Sequence, residues 1–478
     1  MPISIAWRTE ARARLRTDLF DVVVIGGGIN GCGIARDAAL RGLRCALVER
    51  DDFASGTSSR SSRLVHGGVR YLEHGFFHLV FESSRERRIL LRIAPHLVRP
   101  LAFTWPVYRG ARISRWKLAA ALWMYDGLAM FRNVARHQQL GAEDVLEHEP
   151  FLATAALVGG ARYFDALTDD ARLTLANVVD AVRIGAQVLN HAEVTSLRLD
   201  HDQVAGVVVR DRFTREELSI RAAVVVNATG PWTDAMGRLE SPSTRPGILG
   251  TKGVHIAVPA DRVSNRSAIT VLSPIDGRVT FLLPAGAHTI IGTTDTVTPE
   301  SPDQVRASRG DVQYLLDGAN AYFPAARLTP EDVVAAWAGI RPLIASGNAG
   351  DPAEASREHE VAVGPHGLIT VTGGKLTTFR SMSAEVVDVV QRRLGRRVTP
   401  TRTASFPLPE VGFEFACTIA DVLVRRTKIA FETRDHGISA AAGVAAELSA
   451  QFGWNSEDVA RALKEYGEEV DRLFTIEP

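Results

Sequence analysis

The sequence predicts an α/β protein in which a parallel sheet flanked by helices is joined to an antiparallel sheet and a short helical C-terminal part. The segments DVVVI, CALV and VVVNATG are short apolar runs, as is typical of buried parallel strands. The segments VTFLLPA and HTIIGTTDT instead predict strands of an antiparallel sheet. Beyond the linker at Pro407 and Pro409, the alanine-rich stretch 438–451 predicts a helix, and Asn455 or Ser456 can cap the last one.

The length and the charge balance limit the class of protein. A chain of 478 residues is too long for one ordinary hydrophobic core and predicts two or three domains. Lysine plus arginine and aspartate plus glutamate both number 55, so the formal net charge is zero. This balance gives no support to a nucleic-acid partner, and any anion must be bound by a local patch.

The cysteines and the apolar stretches indicate a compartment. Cys32, Cys45 and Cys417 are scattered and form no CxxC pair, which argues against a disulfide scaffold and a zinc site and suits a reducing cytoplasm. The N-terminal residues have no apolar core of signal-peptide length, and no stretch reaches the roughly 18 apolar residues of a spanning helix. We therefore expect a cytoplasmic protein, with a peripheral position on the inner face of the cell membrane left open.

A glycine-rich turn follows the first apolar run. Gly26, Gly28 and Gly31 form the pattern G-x-G-x-x-G, directly after the strand predicted at 21–25 and at the start of a helix predicted over Ile29–Leu40. Glycines permit a tight turn and a close approach of the backbone to a pyrophosphate, and the helix N-terminus offers N–H groups to the same anion. The pattern predicts a Rossmann-type dinucleotide site.

The second strand of this unit carries an acidic residue. Cys45–Val48 is apolar, and Glu49 follows it. Glu49 lies about 20 residues after the glycine turn, the spacing at which a carboxylate accepts hydrogen bonds from an adenosine ribose. The alternative is a purely structural glycine turn in an α/β sheet. The motif alone does not separate FAD from NAD, but its position near the N-terminus, the VVVNATG strand and the lack of a second G-x-G-x-x-G favour an enzyme with one flavin cofactor.

Longer segments carry a resemblance to a known family. They are VVVIGGGINGCGIARDAALRG, TSSRSSRLVHGGVRYLE, TDDARL, VNATGPW, TKGVHI, IIGTTDT, AGIRPL and TGGKLTTFR, in that order. In these segments the sequence resembles the FAD-dependent glycerol-3-phosphate dehydrogenases, within the wider family of D-amino-acid-oxidase-like flavoproteins. The resemblance runs from residue 21 to about residue 380. It departs in the C-terminal part, where the middle of the family's longer helical domain is missing.

The resemblance implies a set of residues along FAD. Without it, the segment TSSRSSRLVHGGVRY reads as a solvated polar loop; with it, the loop packs on the flavin. The glycine turn and Glu49 would hold the dinucleotide part of the cofactor. The remaining residues implied along FAD are Ser58, Ser61, His66, Gly67, Gly68, Ala228, Gly230, Gly373, Gly374 and Thr377.

The resemblance also implies a substrate site for glycerol 3-phosphate. Each of its cations alone would be a solvated surface charge, but on segments that the family brings to the cleft they would together form an anion clamp, in which arginine offers a planar fork and lysine a mobile charge. His255, on a predicted strand, would accept the substrate's hydroxyl proton, although a lone histidine is more often structural. The residues implied at substrate are Arg70, Tyr71, Arg341, Arg357 and Lys375, with His255 and Arg341 as catalytic groups.

The segment RISRWKLAAALWMYDGLAMFRNVAR, at 112–136, has two interpretations. It is either a helix pair that packs in the core or an amphipathic segment lying on a membrane surface, where tryptophan and basic residues anchor well.

The domain boundaries follow from these assignments. They are 18–110, 150–240 and 335–395 for the FAD-binding domain, 111–149 for the helical or membrane-facing segment, 240–335 for the substrate-binding sheet, and 405–478 for the shortened helical C-terminal domain.

The expected reaction is the oxidation of sn-glycerol 3-phosphate to dihydroxyacetone phosphate, with hydride transfer from C2 to the flavin N5 and electrons passed to a quinone. The alternatives are an oxidase that uses oxygen on the same substrate, a flavin-binding protein without turnover, and an amine or amino-acid oxidase. The several cations favour a phosphate over a carboxylate. A homodimer is left open, because a shortened cap would lose contacts that the longer one makes.

Overall fold

The structure is a computed structural model, and it describes residues 5–72, 75–244, 247–345 and 358–478. It confirms the predicted fold class: two large sheets, one mainly parallel and one mainly antiparallel, are covered by helices, and helices also form the C-terminal part.

The strands of the described residues are β1 (Leu19–Ile25), β2 (Cys45–Val48), β3 (Leu64–Val65), β4 (Val98–Tyr108), β5 (Gln138–Leu140), β6 (Leu157–Thr168), β7 (Gln187–Leu189), β8 (Ala192–Asp200), β9 (Gln203–Asp211), β10 (Glu217–Asn227), β11 (Ile248–Pro259), β12 (Ala268–Leu272), β13 (Val279–Ala285), β14 (His288–Gly292), β15 (Thr296–Val297), β16 (Ala335–Ile344), β17 (His359–Val363) and β18 (Ile369–Gly373).

The α-helices are α1 (Ile5–Thr17), α2 (Ile29–Leu40), α3 (Phe77–Ile93), α4 (Arg115–Leu128), α5 (Ala142–His148), α6 (Asp170–Ile184), α7 (Thr233–Glu240), α8 (Ala260–Val263), α9 (Arg309–Tyr322), α10 (Phe379–Arg393), α11 (Ile429–Glu432), α12 (Ile438–Phe452) and α13 (Ser456–Phe474); a π-helical turn spans Asp421–Arg426.

The first sheet contains the predicted buried strands. Strands β18, β10, β1, β2 and β7 are adjacent in that order and parallel, and β8, β9 and β17 extend the sheet with antiparallel pairs. In this register Ile25 lies opposite both Val48 and Asn227. The residues that follow these three strands, the glycine turn, Glu49 and Ala228, are therefore brought to one edge of the sheet, where ligands of open α/β sheets bind.

The second sheet is mostly antiparallel. Its order is β15, β11, β14, β13, β12, β4, β6 and β3; β16 also pairs with β11, and β5 with β6. His255 on β11 lies between Gly292 on β14 and Trp337 on β16, and Thr251 lies opposite Arg341. The pairing of β16 with β11 thus places the predicted base and the predicted clamp arginine on neighbouring strands.

Each sheet has apolar residues packed on both faces. On the parallel sheet, helices α2, α6 and α10 cover one face, and Leu15 of α1 and the β8–β9 hairpin pack with the other. On the antiparallel sheet, α9 packs on one face, and α4 and the C-terminal helices pack on the other. Both faces are buried because the sheets form the inner layer, which explains why the part of β11 around His255, from Thr251 to Val258, is buried without alternation.

Several local predictions can be compared with the helices. The predicted bounds of α2 and β2 agree with the structure, and β1 begins two residues earlier, at Leu19. Asn455 caps α13, since its side chain accepts hydrogen bonds from the N–H groups of Glu457 and Asp458. The segment 112–136 contains one helix, α4, followed by turns, rather than a helix pair. Within the described part of the chain, no helix combines the length and the apolar character needed to cross a membrane.

Candidate active site

The main cavity of about 510 Å³ lies between the two sheets. Its lining comes from the carboxyl edge of the parallel sheet, from the loop at 55–66 and from strands β11 and β16. Of the predicted site residues, those that line it are Gly26, Gly28, Glu49, Ser58, Ser61, His66, Tyr71, Ala228, Gly230, His255, Arg341, Gly373, Gly374, Lys375 and Thr377.

The glycine turn is packed too closely for side chains. Gly26 has a φ of +103°, and a Cβ there would lie 2.7 Å from the carbonyl oxygen of Ala228. A Cβ on Gly31 would lie 1.8 Å from the carbonyl oxygen of Gly26. Gly31 therefore allows α2 to pack against the turn, while Gly26 and Gly28 line the cavity.

The N-terminus of α2 opens on the cavity beside Ser58. The Ser58 Oγ accepts a hydrogen bond of 2.9 Å from the N–H of Ile29, the first residue of the helix. This contact fixes the 55–60 loop on the helix end and leaves the Ser58 hydroxyl hydrogen for an acceptor in the cavity. A helix N-terminus and a hydroxyl donor together form an anion site.

Glu49 holds the other side of the turn. Its carboxylate accepts hydrogen bonds from the N–H of Gly27 at 2.5 Å and from the N–H of Asp51 at 2.8 Å. Burial and then the nearby Asp51 raise the pKa of the Glu49 carboxyl, the two N–H donors oppose the rise, and the net pKa is about 7. Glu49 thus shapes the turn as well as lining the cavity, a role beyond the ribose contact predicted for it.

A polar cluster joins the two sheets near Glu49. The Arg50 guanidinium pairs with Asp303 at 2.6 Å and lies 4.9 Å from the ring centroid of Trp232. The Trp232 Nε1–H also donates to Asp303, at 3.2 Å. Arg50 and Trp232 both line the cavity, so this cluster forms part of its wall.

The loop at 61–68 is held by buried carboxylates. The Ser61 Oγ donates to Asp170 at 2.7 Å, so this hydroxyl is engaged by the protein although Ser61 lines the cavity. The Gly67 N–H donates to Asp165 at 2.9 Å, and a Cβ on Gly67 would lie 2.2 Å from the Tyr125 hydroxyl. Gly67 is therefore packed against Tyr125 and is not among the residues that line the cavity, and its place along the cofactor stays a prediction.

The glycine pair at 373–374 leads into Lys375. Gly373 and Gly374 have φ values of +76° and +80°, a conformation that favours glycine. The Lys375 Nζ lies 3.6 Å from the ring centroid of Tyr71, a cation–π contact, and both residues line the cavity. The Thr377 hydroxyl pairs with the backbone of His66, which ties this segment to the 61–68 loop.

Arg341 is held by the segment Thr293–Thr294–Asp295. Its Nη1 donates to the Asp295 carboxylate at 3.0 Å, and its Nη2 donates to the Thr293 Oγ1 at 2.8 Å. The guanidinium also requires Gly253, where a Cβ would lie 2.3 Å from Nη2. The guanidinium is therefore oriented before any ligand binds.

His255 is 2% exposed and contacts Ser62. Its Nε2 lies 2.8 Å from the Ser62 Oγ, and its ring is stacked on Trp337 with 5.5 Å between centroids. A Cβ on Gly292 would lie 2.2 Å from the His255 Cδ2, so the ring fits only beside glycine. Burial, Arg341 and Arg63 lower the pKa of His255 to about 3, so the imidazole is neutral.

A smaller cavity of about 130 Å³ adjoins the main one. Aromatic side chains line it, among them Phe103, Trp105, Tyr163 and Phe281. The residues that line both cavities are Ser62, Leu64, His66, Tyr71 and Arg341, and we call this set the junction. Gly68 lines only the smaller cavity.

The C-terminal part is tied to the loop after Glu49. Asp52 is buried and accepts hydrogen bonds from Arg425, at 2.6 Å, and from Arg426 of the π-helical turn. Asn190 also donates to Asp52, at 3.1 Å. Because the chain passes from Asp52 to Ser58 within six residues, the C-terminal part supports the cofactor-facing loop.

Some predicted residues lie outside what can be described. Arg357 falls in the segment 346–357, outside the described residues. Arg70 lies in the short 3-10 turn Val69–Leu72, but its side chain is outside the description. Their place in the clamp stays a prediction.

Sequence reasoning missed the residues that support the predicted ones. Thr293 and Asp295 belong to the motif IIGTTDT, and Ser62 to TSSRSSRLVHGG, both recognised without a role for these residues. Trp337 lies four residues before Arg341 and carried no signal. The contacts of all four side chains depend on pairing between distant strands or loops.

Comparison with known proteins agrees with this geometry. The family described as FAD dependent oxidoreductase matches residues 21–380, and the C-terminal domain of alpha-glycerophosphate oxidase matches residues 410–459. The aerobic glycerol-3-phosphate dehydrogenase of Staphylococcus aureus is 36% identical over 482 residues, covering 100% of this chain and 83% of that protein. The protein of the same name from Staphylococcus saprophyticus is 40% identical over 395 residues, covering 82% and 71%.

Solved structures show the same fold. The glycerol-3-phosphate dehydrogenase from Bacillus halodurans, complexed with FAD, has a TM-score of 0.81 and 30% identity, covering 98% of each chain. The L-alpha-glycerophosphate oxidase from Mycoplasma pneumoniae has a TM-score of 0.64 and covers 83% of this chain and all of that one; at 18% identity it shows the fold alone.

The fold and the cavity define an FAD-dependent oxidoreductase, as the sequence predicted. Within that class, the chain belongs to the family of the FAD-dependent glycerol-3-phosphate dehydrogenases.

The residues of the main cavity fit FAD. The glycine turn admits a pyrophosphate to the N-terminus of α2 because its glycines leave no side chain in the way, and Ser58 adds a hydroxyl. Glu49 is suited to a ribose, and Gly373, Gly374 and Thr377 to the flavin end. The assignment of each residue to a part of the cofactor remains a proposal.

Proposed function

We propose that this chain oxidises sn-glycerol 3-phosphate to dihydroxyacetone phosphate and passes the electrons to a quinone. The observation that carries the proposal is the junction, where Arg341, Tyr71 with Lys375, and Ser62 with His255 meet along the cofactor cavity. This arrangement combines cations for a phosphate with a neutral imidazole for a hydroxyl proton.

The cations determine the class of substrate. Arg341 presents a guanidinium that Asp295 and Thr293 hold in one orientation, and a fixed fork suits two phosphate oxygens. Lys375 adds a second charge beside Tyr71. Arg70 and Arg357, which the sequence predicts for the clamp, would add to these charges. Such positioning of the substrate supplies a large part of the catalysis.

FAD, when bound, supplies the two-electron oxidant that accepts a hydride from C2 at its N5. The chain contributes the proton acceptor, His255, which is buried and neutral. The aromatic side chains of the smaller cavity give the junction a partly apolar surrounding, which would strengthen the contacts of the cations with an anion.

Flavin reduction without oxygen tests the proposal. The purified protein should be yellow, and sn-glycerol 3-phosphate should bleach it anaerobically, whereas glycerol, which lacks the phosphate, should not at equal concentration. A bound flavin that sn-glycerol 3-phosphate leaves oxidised contradicts the proposed substrate.

The acceptor needs its own experiment. The match of residues 410–459 to a domain named after an oxidase makes oxygen the second candidate acceptor. During aerobic turnover, a quinone analogue should accelerate the reaction, and peroxide should form much more slowly than dihydroxyacetone phosphate. Peroxide equal to product would support an oxidase.

We also propose that α4 and the turn after it contact a membrane surface, where quinones are found. Leu118, Leu122 and Tyr125 of α4 face the core, while the opposite side exposes Trp116 and Trp123. Lys117 lies over Trp116, and Arg136 over Phe131. Apolar rings therefore alternate with cations, an arrangement that favours binding to an anionic lipid surface.

Vesicle sedimentation tests this contact. The protein should sediment with phosphatidylglycerol vesicles more than with phosphatidylcholine vesicles, and the double variant W116A/W123A should lose this binding. Phe151 is exposed to a similar degree, so F151A is a matched control that should keep it. Equal sedimentation of the double variant and the wild type contradicts the contact.

A further inference from the structure

We infer that Ser62 carries the substrate's hydroxyl proton to His255, which makes Ser62 a further catalytic residue of the proposed oxidation. The inference rests on the proposed function and deepens it, because it concerns the route of the proton rather than the identity of the substrate.

The position of His255 supports this route. The ring is confined between Trp337, on which it is stacked with an interplanar angle of 13°, and Gly292, which leaves no space for even a Cβ. Its Nε2 is therefore directed at the Ser62 Oγ, 2.8 Å away. Among the described residues, the His255 Nδ1 has no hydrogen-bond partner. Ser62 is therefore the described polar group that is placed to exchange a proton with this imidazole.

Ser62 occupies the place that a relay requires. It lines both cavities and belongs to the junction, whereas His255 lines the main cavity alone. The hydroxyl is thus adjacent to the imidazole on one side and to the substrate region on the other. A hydroxyl can give up one proton while it accepts another, which a relay demands.

The residues on either side of Ser62 hold it in place. Ser61 is anchored by its Oγ and its N–H to the buried Asp170. Arg63 is buried, with its guanidinium 5.5 Å from the ring centroid of Trp337 and 5.0 Å from that of Phe431. The backbone of Ser62 is fixed at both ends, and its hydroxyl stays within reach of His255.

The charges around His255 suggest when the relay operates. The charged groups that act on the imidazole are two cations, Arg341 and Arg63, and both disfavour its protonation. A phosphate bound at Arg341 would offset the larger of the two repulsions, the one between Arg341 and the protonated imidazole, and make His255 a stronger base. Substrate binding itself would therefore activate the relay, which favours a phosphorylated alcohol over an uncharged one in the chemical step.

The proposed step balances in atoms and electrons. The O–H bond at C2 breaks and its proton passes to the Ser62 Oγ, while the original Ser62 proton passes to the His255 Nε2. The C2–H bond breaks with its electron pair, which goes to FAD as the oxidant of the proposed reaction. A carbonyl forms at C2, Ser62 is regenerated, and His255 holds the proton until the enzyme is reoxidised.

The experiment is anaerobic rapid mixing of the holoenzyme with sn-glycerol 3-phosphate, followed by flavin absorbance. S62A should lower the rate constant of flavin reduction by about 10²- to 10⁴-fold, the usual contribution of positioned proton transfer, while the substrate dissociation constant changes little. S62T, which keeps a hydroxyl, should recover much of the rate. Ser59 is a buried serine three residues before Ser62 and outside both cavity linings, so S59A is the matched control.

A measurement on the wild type keeps the inference testable if S62A does not retain FAD. Reduction rates in mixtures of H₂O and D₂O should curve with the deuterium fraction, because two protons move in the relay. A linear dependence, or a rate in S62A within a few-fold of the wild type, overturns the inference. If the wild-type flavin is not reduced at all, the proposed substrate fails instead, so the two failures are distinguishable.

Discussion

The Arg341 Nη1 lies 3.0 Å from the Asp295 Oδ1, so the arginine proposed to bind the substrate's phosphate is already paired with a carboxylate. Asp295 orients the guanidinium, and its negative charge also competes with an incoming anion for it. We therefore expect opposite effects on anion binding when the arginine is replaced and when the charge of the carboxylate is removed.

Replacing the arginine removes the fork from the clamp. R341A should raise KM for sn-glycerol 3-phosphate by about 10²-fold or more, as loss of a charged hydrogen-bonded contact of a few kcal/mol implies. R341K should recover part of the affinity, since lysine keeps the charge without the fork. Steady-state kinetics measures this, with the exposed Arg309 as the R309A control. An unchanged KM removes Arg341 from the clamp.

Replacing the carboxylate should have the opposite effect on anions. D295N keeps an oxygen that accepts from Arg341 but removes the competing negative charge. Inorganic phosphate, used as a competitive inhibitor, should therefore bind several-fold more tightly, whereas D295A, which loses the orienting contact, should bind it more weakly. If D295N also binds phosphate more weakly, Asp295 does not compete with the anion.

Glu49 should make FAD binding depend on pH. Its carboxyl has a pKa of about 7 before cofactor binds, and the ionised form is the better acceptor for ribose hydroxyls. The dissociation constant of FAD should therefore rise as the pH falls through about 7. Titration of the apoprotein by flavin fluorescence measures this. E49Q, which does not titrate, should give a flat profile, and an equal slope in E49Q would assign the effect to another group.

His255 should link stability to pH in one direction. Its pKa falls from 6.5 to about 3 on folding, so between these values the unfolded chain binds a proton that the folded protein does not. Because the unfolded chain binds this extra proton, the free energy of unfolding falls as the pH decreases, by at most about 1.4 kcal/mol per pH unit. Urea unfolding of the wild type and of H255Q should show a shallower pH dependence in the variant. Parallel curves would mean that His255 titrates normally.

Asp52 should be important for both stability and cofactor retention. D52N leaves Arg425 and Arg426 buried beside a neutral amide, and breaking such a buried ion pair costs roughly 3–5 kcal/mol. The Tm should fall and FAD should be lost at a lower temperature, because the same loop leads to Ser58. Thermal unfolding with flavin fluorescence measures both. The Asp200 side chain is 74% exposed, and D200N should change neither.

The sequence was sufficient for the cofactor-binding unit because that unit is local. The strand β1, the glycine turn, the helix α2 and Glu49 lie within about thirty residues, and their spacing follows from the geometry of a βαβ unit. The fold class followed from the periodicity of apolar residues, and the comparisons confirm it together with the FAD cofactor.

What only the tertiary structure decided is the set of contacts around Arg341 and His255. Asp295 and Arg341 are separated by 46 residues, and Ser62 and His255 by 193, so no local pattern relates them. They meet because β11 pairs with both β14 and β16, and because the 61–68 loop is tied to Thr377 and to buried carboxylates. The sequence thus determined the dinucleotide-binding unit, and its family resemblance indicated FAD, whereas strand pairing between distant segments decided which side chains support the proposed chemistry.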